Sequence, residues 1–321
     1  TCQAAAAFFE QQQDWAALDQ TLDKWAAFCL SIGAHADAIA VSQHRLAIPG
    51  IAARERGSAI QTLAVTRFFL ADYPQCLAVV REALSALRPG EPVEYLAEVL
   101  SVGIWAIYVS GCWDEAPSLL DVLSEIWERL QLRPGAGGMV FDAYLAALEL
   151  AKAREDRPAI DMAASTLERI LPESSGNKDF IAAIRDGEPG KFDLERIGVG
   201  VPGLFLSFFS EAGLPPPPKL MQESVFQNDM TIRCRQIAQA LLNDDNAALA
   251  TAIDDAETHG LIVHAARMRV VLAQRSGDRA QLARARPVLE RLEDRRSLRR
   301  LEEVEEMLAG RGRGQGRGRF P

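Results

Sequence analysis

Apolar residues recur at i, i+3, i+4 and i+7 along most of the chain, and the strict alternation of a half-buried strand is almost absent. The pattern predicts helix throughout. Gly, Pro and Asp interrupt it at intervals of about fifteen to twenty residues, the spacing of short helices joined by tight turns. One stretch breaks the rhythm. Between Pro172 and Asp229, Gly, Pro and short mixed runs replace the helical pattern, and Pro215 to Pro218 form a stiff run that cannot lie inside a helix. Short helices are expected there around Phe180 to Arg185 and Leu204 to Ser210.

Several of the turns look alike. Gly111-Cys112-Trp113-Asp114-Glu115-Ala116 follows Leu100, Ile104 and Ile107 and precedes Leu120 and Leu123; Ala71-Asp72-Tyr73-Pro74-Gln75-Cys76 sits between Leu63 and Val80 in the same way. Gly33-Ala34-His35 and Asp156-Arg157-Pro158 are further copies, and Asp244-Asp245-Asn246 and Ser276-Gly277-Asp278-Arg279 follow towards the C-terminus. These turns resemble those of the tetratricopeptide repeat, in which a small residue near the turn, here Ala116, lets two helices approach and large apolar residues lock them together. The turn positions His35, Tyr73, Trp113 and Arg157 are 38, 40 and 44 residues apart, longer than the family period of about 34. Asn246 and Arg279, 33 apart, return to it.

The resemblance implies an all-α fold, an α-solenoid of antiparallel helix hairpins with an irregular Pro/Gly-rich insertion. The expected blocks are 1–171 and 230–309, with 172–229 as insertion or linker and 310–321 as a Gly/Arg-rich tail. A second resemblance, carried by Thr258-His259-Gly260-Leu261 through Arg267, Ser276-Gly277-Asp278 and Leu289 to Asp294, is to the closing repeats of large bacterial signalling and transcriptional regulators. It implies a sensing or assembly role in signal transduction.

Composition narrows the partners. The 321 residues are 48% hydrophobic and 25% charged, as in globular proteins, and carry a net charge of −9. The segment Gly310 to Pro321 holds four arginines and no acid, so setting its four positive charges aside leaves the preceding body at −13. A body that acidic repels phosphate backbones and argues against nucleic acid. The tail resembles RG-type tails that bind RNA, and a solubilising tail is the competing reading. Cys2, Cys29, Cys76, Cys112 and Cys234 lie apart, without a C-x-x-C pair, and read as small hydrophobes in a reducing, cytoplasmic setting. No secretory signal is visible, and a start at Thr1 suggests a processed chain or a piece of a longer one. The uncharged runs Val99 to Trp113 and Ile197 to Ser210 span 15 and 14 residues, short of the ~20 that cross a bilayer.

No motif for catalysis stands out: no P-loop, H-E-x-x-H or G-x-S-x-G is present, and the string Ile197 to Gly203 reads as a plain loop. Of the four histidines, His35 occupies a turn position suited to packing, and His259 and His264 are five apart, off the i, i+4 spacing of two ligands on one helical face. The expectation is no metal, no cofactor and no enzyme. Paired acids such as Asp244-Asp245 and Glu302-Glu303 read as caps or solvated faces.

The tetratricopeptide resemblance also implies a concave groove lined by the first helix of each hairpin. Carried over, the groove positions are Ser58, Gln61, Val65 and Phe68, then Glu98, Ser101, Trp105 and Tyr108, with Asp142, Leu145, Glu149 and Lys152 from a weaker copy. Gln61, Phe68, Glu98, Trp105, Tyr108 and Glu149 become the candidate ligand-binding set, an aromatic floor with acidic edges suited to a basic or amine-bearing peptide or protein. The competing reading is that Trp105 and Tyr108 pack in the core. Self-association stays open, and Leu204 to Phe209 has no basic face for a membrane and is expected to plug an end of the array or cover its groove. The alternative functions are an enzyme with an acidic pocket lidded by 172–229, and RNA binding by the tail.

Overall fold

The computed structural model describes residues 1–86, 94–130, 138–170, 175–186, 202–222 and 228–315. Residue Pro172, most of the Ile197 to Gly203 string and the end of the Gly/Arg tail lie outside them. All regular structure among the described residues is helical. The helices are α1 (Cys2–Gln11), α2 (Trp15–Ser31), α3 (His35–Leu46), α4 (Ala53–Phe69), α5 (Tyr73–Ser85), α6 (Glu94–Ser110) and, after a 3-10 turn (Trp113–Glu115), α7 (Ala116–Leu130). The chain continues through α8 (Gly138–Arg154), α9 (Arg157–Ile170), α10 (Ser175–Asp186), α11 (Pro202–Ala212), α12 (Pro218–Met221) and α13 (Asp229–Leu242). It ends with α14 (Asn246–Thr258), α15 (Ile262–Ser276), α16 (Arg279–Leu292) and α17 (Arg295–Gln315). The first three residues of the proline run separate α11 from α12, and Pro218 opens α12, where a missing N–H costs nothing.

One turn chemistry recurs between neighbouring helices. After the last helical residue the chain takes one left-handed step, at Gln13, Gly33, Ala71, Gly111, Glu155, Asp244, Gly260, Gly277 and Glu293. At seven of these steps the next residue's N–H returns to the carbonyl five back: Asp14 to Phe9 (3.0 Å), Ala34 to Cys29 (2.8 Å), Asp72 to Arg67 (3.0 Å), Asp156 to Ala151 (2.9 Å), Asp245 to Ala240 (3.0 Å), Leu261 to Ala256 (2.9 Å) and Asp294 to Leu289 (3.0 Å), whereas Asp278 donates to the Ser276 hydroxyl (3.1 Å). The five-back bond satisfies a carbonyl orphaned at the helix end. In several copies the same residue caps the next helix. The Asp14, Asp245, Asp278 and Asp294 carboxylates accept from the N–H groups of Ala17, Ala248, Ala280 and Ser297 at 2.9–3.1 Å. At Asp14, Asp245 and Asp294 one residue thus closes a helix and opens another, which is why Gly or Asp marks these turns in the sequence. At Gly111 (φ +78°) a Cβ would also stand 3.1 Å from the Leu292 side chain, so a larger residue there would meet both a strained backbone and a close neighbour.

Packing gathers the chain into two compact units. The first comprises Thr1–Ile107, Asp114–Ala143 and Glu223–Asp229; the second comprises Tyr108–Trp113, Tyr144–Gln222 and Met230–Pro321. In the first, each helix from α1 to α5 packs on the next. Leu18, Leu22 and Ala26 of α2 meet Ala6, Val41 and Ile48, all buried, and each fully buried leucine contributes about 1.5–3 kcal/mol. Arg45 is buried among them and crosses three helices. It donates through Nε to Asp19 (2.9 Å) and through Nη1 to Asp23 (2.5 Å) and Ser58 (3.4 Å), while Nη2 reaches Asp19 and the Glu55 carbonyl, each at 3.5 Å. The uncharged run from Val99 is a buried helix, with Leu100, Ile104 and Ile107 almost fully covered. Gly103 lies against Val80, where a Cβ would approach to 3.0 Å.

In the second unit α15 is central, packing on α14, α16, α17 and α11. Every residue from Val263 to Ala273 is buried. Ala266, Val270 and Ala273 join Leu282, Leu289, Leu301 and Val304 in one core, while His264, Arg267 and Arg269 interrupt the apolar run. Among the described residues no helix is long and apolar enough to cross a membrane.

Candidate functional site

The second unit holds a cleft of about 620 Å3, a volume in the range of small-molecule sites. Ile160, Ile184, Phe208 and Val270 supply its apolar lining. The rest is charged: Lys152, Arg157, Arg185, Arg267, Arg296 and Arg300 face Glu149, Glu155, Asp186 and Glu211, six cations to four carboxylates in a strongly acidic protein.

Among the lining residues is Glu211, the next-to-last residue of α11. The His264 Nδ1 is 3.1 Å from Oε1, the Arg267 Nη1 is 3.2 Å from Oε2, and Arg296 stands at 3.7 Å, beyond hydrogen-bond length. Burial alone would raise this carboxyl, but Arg267, His264 and Arg296 overcome it and hold the group at about 2. An ionised carboxylate can only accept, so His264 donates through Nδ1. Its Nε2 is then buried without a partner.

Arg267, 4% exposed, reaches into this cleft from α15. Its Nε donates to Asp294 (2.8 Å) and its Nη1 to the Tyr108 hydroxyl (3.0 Å) as well as to Glu211. The guanidinium carbon lies 5.9 Å from the Tyr108 ring centre and 5.8 Å from that of Trp113, within cation–π range. Those two rings are parallel to within 2°, and the Trp113 Nε1 donates to the Tyr108 carbonyl at 3.0 Å. Burial works against the Arg267 charge, but Asp294, Tyr108 and Glu211 keep its pKa well above the usual arginine value. Its Nη2 is buried and has no hydrogen-bond partner.

Two further arginines, one helical turn apart on α17, complete the basic side. Arg300 donates through Nη1 to the Glu211 carbonyl (2.5 Å) and through Nη2 to the Gln274 side-chain oxygen (3.2 Å), both uncharged, and burial lowers its pKa. Arg296 stands 3.6 Å from Glu149, whose nearer partner is Lys152 at 2.5 Å. Lys152 also donates to the Ile184 carbonyl at 2.5 Å.

The six residues expected to line a groove fall in different surroundings. Phe68 is buried with its ring 5.6 Å from Tyr73 and 6.4 Å from Phe69. Trp105 is buried, and Gln61 is half-buried. Glu98 is half-buried on α6, and desolvation raises its carboxyl. These four belong to the first unit. Tyr108 and Glu149 belong to the second, both buried: Tyr108 holds Arg267, and Glu149 lines the cleft.

Other candidates also find places. His35 meets the Phe69 ring edge-on at 6.0 Å, and burial lowers its pKa. Cys29, Cys76 and Cys234 are buried, and burial pushes the Cys76 thiol up to about 12. Among the described residues no three His, Cys, Asp or Glu side chains are grouped to hold a metal ion. Asp142, in the first unit, is buried, and desolvation raises its carboxyl to about 7.

Glu211, Arg267, Arg296 and Arg300 escaped the sequence reading. Their signal was present as charge inside apolar helix: Arg267 and Arg269 in a run otherwise suited to a core, and Glu211 directly after Phe208-Phe209-Ser210. Comparison of the chain with known protein families, with curated proteins and with solved structures gives no match.

Proposed function

We propose that this chain is a tetratricopeptide-like recognition module, the sensing or assembly part of a signal-transduction or transcriptional regulator. Its ligand site is the cleft between Glu149 and Arg300. The observation that carries this reading is a cleft lined by six cations and four carboxylates, among them the buried Arg267 whose Nη2 has no partner. A buried donor without a partner costs about 1–3 kcal/mol, and a ligand towards which the guanidinium turns recovers that cost. The succession of short helices and shared turns supports a solenoid scaffold, on which function resides in surface sites.

Binding without catalysis is supported by the titration of the site. A carboxylate held at about 2 is ionised at neutral pH and is a poor proton shuttle there. The carboxyl raised towards neutrality, Asp142, is not among the cleft residues.

The test is a thermal-shift screen of the full chain against peptides and small molecules grouped by charge. A ligand at about 100 times its Kd adds about 2.7 kcal/mol, a shift of several degrees. The expected result is stabilisation without turnover that Arg296→Met abolishes. Ligands whose effect is indifferent to Arg296→Met and Glu149→Gln would place binding elsewhere and sink the reading.

A further inference from the structure

We infer that the cleft receives a small amphipathic acid, its carboxylate among Arg267, Arg296 and Arg300 and its apolar body against Ile184, Phe208 and Val270. The inference rests on the cleft being the ligand site, and adds the chemical class of what enters.

Asp294 and Glu211 answer Arg267, and Lys152 holds Glu149 at 2.5 Å, with Arg296 further off at 3.6 Å. Glu211 is then shared by Arg267 and Arg296, while the Arg300 side chain binds only carbonyl oxygens. Arg267, already answered by Asp294, shares Glu211 with Arg296, and Arg300 stands beside them on an uncharged carbonyl, so a further negative charge is favoured there. A second observation is independent of this balance. The Arg267 side chain is 3% exposed, lines the cleft and keeps a buried, unpartnered N–H donor at Nη2. A small rotation of the guanidinium would offer that donor to a neutral acceptor as well, but only an anion also relieves the repulsion between Arg296 and Arg300. A planar guanidinium suits a carboxylate in two-point contact.

The rest of the cleft limits the ligand to one acid group on an apolar body. Glu149 and Glu155 line the same space and repel a polyanion. The apolar lining and the volume suit an aryl or alkyl chain.

Isothermal titration of the full chain at low ionic strength tests this with 3-phenylpropanoate and an N-acetylated apolar dipeptide with a free C-terminus. Each is paired with its uncharged amide, and phenethylamine serves as the opposite charge. Both acids are expected to bind at least about tenfold more tightly than their amides, as fits one charge-assisted hydrogen bond, and more weakly as salt rises. If only the dipeptide acid binds, the carboxylate belongs to a chain terminus; if the small acid binds as well, a free acid suffices. Both outcomes uphold the inference. Arg296→Met, at a partly exposed position, should remove the preference for acid over amide while leaving the thermal midpoint near wild type. Arg300→Met provides a second check should one variant misfold.

Equal affinity for acid and amide, or a preference that persists in both variants, would overturn the inference. Tight binding of phenethylamine, lost in Glu149→Gln, would overturn it while upholding the cleft as the ligand site. No binding by any probe overturns the acid as ligand and leaves the wider screen to decide the cleft.

Discussion

Each unit of this protein buries an arginine, and the two are finished differently. Arg45 gives each of its three nitrogens an acceptor, from Asp19, Asp23, Ser58 and the Glu55 carbonyl. Arg267, which lines the cleft, satisfies Nε and Nη1 and leaves its buried Nη2 without a partner. A closed network joins helices and has nothing left to offer, whereas an open one retains a donor for something else. An orphan nitrogen alone does not make this distinction. Arg269 also has an unpartnered Nε, yet it is not among the cleft residues. Position decides which incomplete network can act.

The largest expected effect tests the closed member. Arg45→Met leaves buried Asp19 facing an uncharged neighbour, and removing one partner of a buried pair costs about 3–5 kcal/mol. Urea unfolding should show that loss with acid binding in the second unit intact. A cost below about 1 kcal/mol would mean that the network is solvated and the contrast unfounded. Arg267→Met should cost less, about 1–3 kcal/mol, since its carboxylate partners retain other donors and an orphan disappears with it. Ser297 still serves Asp294, and His264 and Arg296 still stand by Glu211. It should also abolish binding. If Arg267→Met proved the more damaging of the two, its network would be as structural as that of Arg45.

The open network carries a pH signature. Glu211 lies at about 2 in the folded chain against 4.5 as its ordinary value. A depressed carboxyl contributes stability fully present above its unfolded pKa and lost as pH falls through the folded one. Denaturation midpoints should therefore fall between pH 4.5 and 2, and Glu211→Gln should lower stability at pH 7 while flattening that acid limb by about 3 kcal/mol. An unchanged limb would show that Glu211 is not held by the arginines.

The two networks also differ in how far the sequence disclosed them. The turns were legible because each needs a left-handed residue or a capping oxygen, and Gly33, Gly111, Gly277 and Asp278 announce both locally. The all-helical architecture followed from the same periodicity. The cleft was not legible as a whole, because it joins residues from Glu149 to Arg300 that only tertiary packing brings together. Tyr108 and Glu149 were singled out for a groove wall; both are buried, Tyr108 accepting from Arg267 and Glu149 lining the cleft beside Lys152 and Arg296. A buried helix shows the same aromatic periodicity on its core face as on a ligand-facing one, so spacing alone could not separate those roles for Phe68, Trp105 and Tyr108.

The finest comparison removes one hydroxyl from each network. Ser58 donates to Asp23 at 3.2 Å and receives Arg45 at 3.4 Å; Tyr108 receives Arg267 at 3.0 Å. Ser58→Ala should cost about 1 kcal/mol, the ordinary worth of such a bond, and leave ligand affinity untouched. Tyr108→Phe keeps the ring that stacks on Trp113 and frees a second N–H on Arg267. Its stability cost should be similar, about 1 kcal/mol, but the freed donor should turn to the ligand and tighten acid binding about two- to threefold. Calorimetry on the two variants separates these outcomes. Equal affinities in Ser58→Ala, Tyr108→Phe and wild type would mean that the Arg267 donors do not reach the ligand, and the open network would then be open only in form.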